Sequence, residues 1–125
     1  MIKGMMILAD GFEDTEAIAT RDVLERTHQI QVDLVSLTSR KEVRSSHNVF
    51  VLLHKTLMEV NEKDYDFVVL PGGKEGMENL KKDEIVRSLL LRFFKEGKLV
   101  SAICASPSIL GELGILKGKK YTCFP

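Results

Sequence analysis

The sequence predicts an α/β protein built on a mostly parallel sheet with helices on both faces. Three observations carry this. Strand-like and helix-like segments alternate along the chain, the strands are near-continuous apolar runs, and turn residues separate the elements. Residues 4–9 (GMMILA) form the first apolar run, closed by Asp10-Gly11. Residues 14–27 place Ala17, Ile18, Val23 and Leu24 at helical spacing, which predicts a helix with those four on its apolar side. Residues 30–37 (IQVDLVSL) alternate and carry branched side chains, as a strand does. Residues 43–54 suggest a hairpin or paired short strands around Ser46-His47-Asn48. "DYDFVVLPGG" is a strand stopped by Pro71-Gly72-Gly73. Residues 83–96 fit an amphipathic helix with Ile85, Val86, Leu89, Leu90 and Phe93 inward, ended by Gly97. A strand over 98–103, a short helix over 106–113 and a last strand over 119–124 complete the reading.

Composition supports one folded domain over residues 1–125. Apolar residues make up 44% and charged residues 29%, with zero formal net charge and the two signs interspersed. No basic patch marks a nucleic-acid or anionic-membrane partner. No apolar run approaches the roughly 18 residues of a membrane span, and the N-terminal apolar stretch meets acids too soon for a signal peptide. The two cysteines form no CxxC and no disulfide framework. They fit a reducing compartment, so a cytoplasmic location is expected. No metal and no cofactor is expected. There is no internal repeat and no linker.

In open α/β sheets, sites form where strand C-terminal ends meet helix N-termini. Three stretches stand just past expected parallel strands: Asp10 to Glu16, Pro71 to Gly73, and Cys104 to Ser106. They should therefore gather along one sheet edge. Cys104 ends an apolar strand, and Pro107 suits the first turn of the helix that follows. A thiolate there would be stabilised by the helix N-terminus, its pKa falling from about 8.5 toward neutrality. The alternative is a small buried hydrophobe. Gly73 N–H could join Ala105 N–H as an oxyanion hole, or Pro71-Gly72-Gly73 could be a plain tight turn. Glu13 and Asp14 read as helix-capping acids. Glu16 is a candidate partner of Cys104, provided its carboxyl carries the proton or the two groups share one, because an ionised carboxylate would raise the thiol pKa.

With these residues in view, the sequence resembles the ThiJ/PfpI superfamily, in the deglycase/glyoxalase III-like subgroup around the Parkinson-disease-associated protein. "ILADGFEDTEA", "VVLPGG" and "AICASP" stand in the order and spacing of that family's glutamate, glycine and nucleophile motifs, and "LKGKKYTCFP" looks like its strand after the nucleophile helix. The resemblance implies a flavodoxin-like three-layer α/β/α sandwich, usually homodimeric. It assigns the nucleophile to Cys104, the carboxyl partner to Glu16, and oxyanion donors to Gly73 and Ala105. The implied substrates are small reactive aldehydes or glycated adducts. The alternative is a redox sensor or chaperone that works by oxidation of Cys104. A third reading, a phosphate-binding flavodoxin-like module, fits poorly because the acids of "ADGFED" would repel phosphate.

Two positions depart from the pattern. Ala105 stands where the protease-like branch has a histidine, which disfavours peptidase activity. Phe124 stands where some deglycase-like members have a histidine before the proline. His47 lies in a segment resembling the family's dimer-contact region and could reach Cys104 from a second subunit; the simpler reading is a solvated turn residue. Cys123 could resolve a sulfenate on Cys104; the simpler reading is a buried strand cysteine. Family members also continue past the position of Pro125 with more strands and a closing helix. Without them one sheet face would stay uncovered. The expectation is therefore a truncated chain, or a cut backbone with the C-terminal fragment retained non-covalently.

Overall fold

The computed structural model describes all of residues 1–125. Its centre is a five-stranded parallel sheet of β1 (Ile2–Leu8), β2 (Ile30–Ser36), β5 (Lys55–Thr56), β6 (Phe67–Leu70) and β7 (Leu99–Ala102), in the order β5-β2-β1-β6-β7. Helices α1 (Asp14–Glu25), α2 (Lys74–Lys81) and α3 (Glu84–Lys95) connect strands of the sheet, and α4 (Pro107–Glu112) follows the last one. A separate antiparallel hairpin joins β3 (Glu42–Arg44) to β4 (Phe50–Leu52), and Asn48 takes a positive φ of 62° in its turn.

Alternation along β1 divides the core in two. Met5 and Ile7 face a cluster built with Leu89, Leu90 and Phe93 of α3 and Ile109 and Leu110 of α4. Met6 and Leu8 face the other side, with Ala17 of α1, Val43 of the hairpin, Phe67 and Val69. Along α1, only Ala17 is fully buried, while Ile18 and Val23 are exposed. The inward stripe expected of this helix is thus narrower than its apolar spacing implies. Along α3, Val86, Leu89, Leu90 and Phe93 are buried as expected and Ile85 is not. On the α1 face, the β7 end of the sheet is open. Ile2, Leu24, Phe67, Val69 and Leu99 line a groove there, and Leu99 is exposed.

Two expectations change. Residues 119–124 form no strand. They leave a turn as coil, with Tyr121 and Phe124 exposed. A strand exists only through a ladder partner, and β7 pairs with β6 alone. The backbone bond of this tail goes instead to the cysteine turn, from Phe124 N–H to the Cys104 carbonyl at 2.7 Å. Cys123 is consequently exposed, not a buried strand residue. Conversely, α2 forms where the sequence reads only a turn. Its interior Gly76 hides the helical pattern, but a side chain there would collide with the Phe12 backbone at 2.9 Å.

Helix α3 starts on a side-chain cap: the Asp83 carboxylate accepts from Val86 N–H at 3.0 Å. Replacing Asp83→Ala should lower stability by about 1 kcal/mol and Asp83→Asn by much less, read as the shift in urea midpoint at unchanged slope.

Candidate active site

The three suspected stretches meet at the C-terminal edge of the sheet. Glu13 caps α1: its backbone is extended and its carboxylate accepts from Glu16 N–H at 2.8 Å. The same residue's N–H donates to the Gly72 carbonyl at 3.0 Å, which ties the start of α1 to the turn after β6. One helical step on, Glu16 points back, and its Oε1 accepts from Gly72 N–H at 2.9 Å. A side chain on Gly72 would lie 2.4 Å from that oxygen and 2.6 Å from Cys104 Cβ. Only a residue without Cβ lets Glu16 and Cys104 flank the same backbone atom.

Gly73 follows with φ 93°, and a Cβ there would strike the Gly11 carbonyl at 2.3 Å. Cys104 itself sits at φ 63°, left-handed backbone that an ordinary side chain rarely adopts. Such strain persists only where the surroundings fix it. Here they do. Ile103 N–H donates to the Leu70 carbonyl at 3.1 Å, and the fully buried Ser106 hydroxyl donates to the Pro71 carbonyl at 2.6 Å. Ser106 closes the third suspected stretch, but the sequence assigned it no role. The signal available was a hydroxyl two residues past the cysteine, just before the proline that opens α4.

Four influences set the acidity of Cys104. Burial and the Glu16 carboxylate beside it push its thiol up, and N–H groups of Ala105 and Gly73 directed at the sulfur act in the opposite sense. The net direction is upward, which corrects the expected fall. Helix α4 has only six residues and so supplies little dipole. The charge of Glu16 lies closer to the sulfur. When the carboxyl carries the proton, its charge no longer opposes the thiolate and the two N–H groups remain.

A cavity of about 440 Å³ opens onto the sulfur, lined by Glu13, Gly73, Met77, Ser108, Cys123 and Phe124 among others. No histidine lines it. His47 lies on the hairpin turn, exposed, with Nδ1 3.2 Å from the Asp14 carboxylate. Within this chain it takes no part in the cavity. Asp14 also accepts from Ser45 Oγ at 2.8 Å, and that bond, with a smaller contribution from His47, holds its carboxyl below the usual range against partial burial. Asp14 thus secures the hairpin to α1 and is not the helix cap. Glu13, Asp14 and His47 bring possible metal-ligand atoms within 4.8 Å of one another, the chain's one such group.

A parallel α/β sheet that presents a strained cysteine beside a carboxyl at its C-terminal edge defines a flavodoxin-like fold with a cysteine-centred site. The chain belongs to the DJ-1/PfpI family, whose description matches residues 3–125. It is 36% identical over 121 residues to protein dj-1beta of Drosophila melanogaster, covering 97% of this chain and 64% of that protein. It is 33% identical over 125 residues to Deglycase PH1704 of Pyrococcus horikoshii, covering 99% of this chain and 73% of that protein. The structure of oxidized Toxoplasma gondii DJ-1 superposes with a TM-score of 0.93 at 32% identity, covering 100% of this chain and 68% of that one. The chain thus spans less than two thirds of the fly protein's length.

Because the ionised carboxylate opposes the thiolate, Glu16→Gln should lower the pH at which Cys104 becomes reactive. Iodoacetamide labelling of Cys104, followed across pH by peptide mass mapping, should show a lower midpoint in the variant. An unchanged or higher midpoint would show that the Glu16 charge does not reach the sulfur.

Proposed function

We propose that this protein converts small reactive aldehydes such as methylglyoxal, with Cys104 as nucleophile and Glu16 as proton carrier. The observation that supports it is the pairing of Glu16 and Cys104 across Gly72, with Gly73 and Ala105 N–H groups turned to the same place. The thiolate adds to the aldehyde carbon, and the two N–H groups hold the alkoxide of the resulting hemithioacetal. Glu16 gives its proton to that alkoxide, and the resulting carboxylate takes the proton from the same carbon and returns it to the neighbouring carbonyl carbon, while the hydroxyl proton passes from the first oxygen to the second, leaving a thioester. Water cleaves the thioester to lactate and frees the thiol, so the sum is methylglyoxal plus water giving lactate. The name of the Pyrococcus relative agrees with a reactive or glycated substrate class.

A second reading, oxidation of Cys104 as a sensor or chaperone signal without turnover, is supported by the access of the sulfur to the cavity. The proposed assembly is a homodimer. The hairpin that carries His47 leaves Phe50 and Leu52 exposed, an apolar surface suited to a second copy. In that assembly His47 would come from the partner subunit toward Cys104. We place the protein in the cytoplasm on its two free cysteines; no helix is long and apolar enough to cross a membrane.

Lactate formation from methylglyoxal tests the enzyme reading. Wild type should produce it, Cys104→Ser should fall to the uncatalysed level, and Glu16→Gln should fall by about 100-fold or more in kcat. Equal rates in wild type and Cys104→Ser would end the mechanism.

A further inference from the structure

We propose that Cys104 and Cys123 form a two-cysteine site that reduces hydroperoxides and closes as an intramolecular disulfide. This rests on reading Cys104 as the reactive thiol and goes beyond aldehyde chemistry. Both cysteines are free, and both line the same cavity. The Phe124 N–H bond to the Cys104 carbonyl, at 2.7 Å, brings the two backbones together. From Cα of Cys104 to its own oxygen is about 2.4 Å, and from Phe124 N to Cα of Cys123 is again about 2.4 Å. The two Cα atoms are therefore at most about 7.5 Å apart, even with the path fully straight. Disulfides need about 4.4–6.8 Å. Among residues 120–125, only Phe124 has its N–H in a backbone bond, and all six residues are exposed. The segment can turn about that one anchor to bring the sulfurs into contact, with no strand or helix to break.

The chemistry balances without a metal or a cofactor. The Cys104 thiolate attacks the distal oxygen of the hydroperoxide. An S–O bond forms, the O–O bond breaks, and the leaving alkoxide takes a proton to become an alcohol, or water from hydrogen peroxide. Sulfur is oxidised to the sulfenic acid and the peroxide is reduced. The Cys123 thiolate then attacks the Cys104 sulfur. An S–S bond forms, the S–O bond breaks, and the departing hydroxide takes a proton to become water. A small dithiol restores both thiols by exchange. Interception by Cys123 competes with further oxidation of Cys104 to the sulfinic acid, which thiols do not reverse.

The experiment treats the reduced chain with hydrogen peroxide at a few equivalents, blocks remaining thiols with iodoacetamide, and maps peptides without reduction. Wild type should lose both alkylatable thiols and yield a Cys104–Cys123 linked peptide that dithiothreitol reverses. Cys123→Ser should instead accumulate Cys104 with two added oxygens, at least about tenfold more than wild type. Cys104→Ser should leave Cys123 alkylatable. Wild type that gains two oxygens on Cys104 while Cys123 stays alkylatable would overturn the proposal and leave Cys104 as a reactive thiol. A disulfide found only between two chains would overturn it too. Cys104 inert to both peroxide and iodoacetamide would remove the reading of the reactive thiol itself, and aldehyde turnover is measured separately in the lactate assay.

Discussion

The absence of a side chain at Gly72 is the constraint on which the site depends. At that one residue three chain segments converge. Its carbonyl receives Glu13 N–H, its N–H donates to Glu16, and its Cα faces Cys104 Cβ. A methyl group there would displace either the carboxyl or the cysteine, and nothing else in the fold would restore their contact. The sheet supplies the coarse placement, since β1, β6 and β7 run parallel and side by side. Parallel neighbours end at the same edge, so the turns that follow them must meet. The glycine converts that meeting into atomic proximity.

Proximity of a carboxyl and a thiol in partial burial sets up a competition for one proton. Gly72 N–H donates to the Glu16 carboxyl, and the Gly73 and Ala105 N–H groups favour the thiolate. Both cannot be anions at little cost, because like charges at such range in a weakly solvated place repel strongly. The backbone around them leaves little room to relax. Ser106 locks the cysteine turn to Pro71, and the hairpin braces the far side through Asp14 with Ser45 and through Arg44 with Glu75 at 2.6 Å. The strained φ of Cys104 is held by these bonds, and it aims the sulfur out of the sheet instead of into the core.

The fold and the meeting of three turns were legible in the sequence because apolar runs and turn residues are local signals. Met5, Val68 and Leu90 are buried because they sit in such runs. The exposed side of α1 was not legible, since Ile18 and Val23 satisfy helical spacing yet find nothing to cover them in this chain. Helix α2 was hidden by Gly76, whose reason for being glycine lies in Phe12, far away in sequence. The tail of residues 119–124 has strand-like composition, but a strand is a property of two segments and the second was absent. The thiol's upward shift was foreseeable only as a condition: the sequence names Glu16 as a neighbour without saying which group holds the proton.

With no imidazole on the cavity wall, the site has few ways to move protons. Lys74 and Lys81 line the cavity, Lys81 paired with Glu112 at 3.2 Å, and Ser108 gives its hydroxyl to the Ala105 carbonyl at 2.7 Å. The Glu13 carboxylate also lines the cavity but is engaged in capping α1, and Glu16 is the carboxyl directly beside the sulfur. A single carboxyl can serve both directions if its proton returns within the cycle. In the proposed cycle it holds the proton while the thiolate attacks and releases it to the alkoxide that forms. It is then ionised, ready to act as base at the carbon that loses hydrogen. Each step leaves one negative charge in the site, first on sulfur, then on the carboxylate. The repulsion that would block two anions is never met. An isolated carboxyl–thiol pair therefore suffices for the cycle we propose, provided Gly72 keeps the two within one proton's reach.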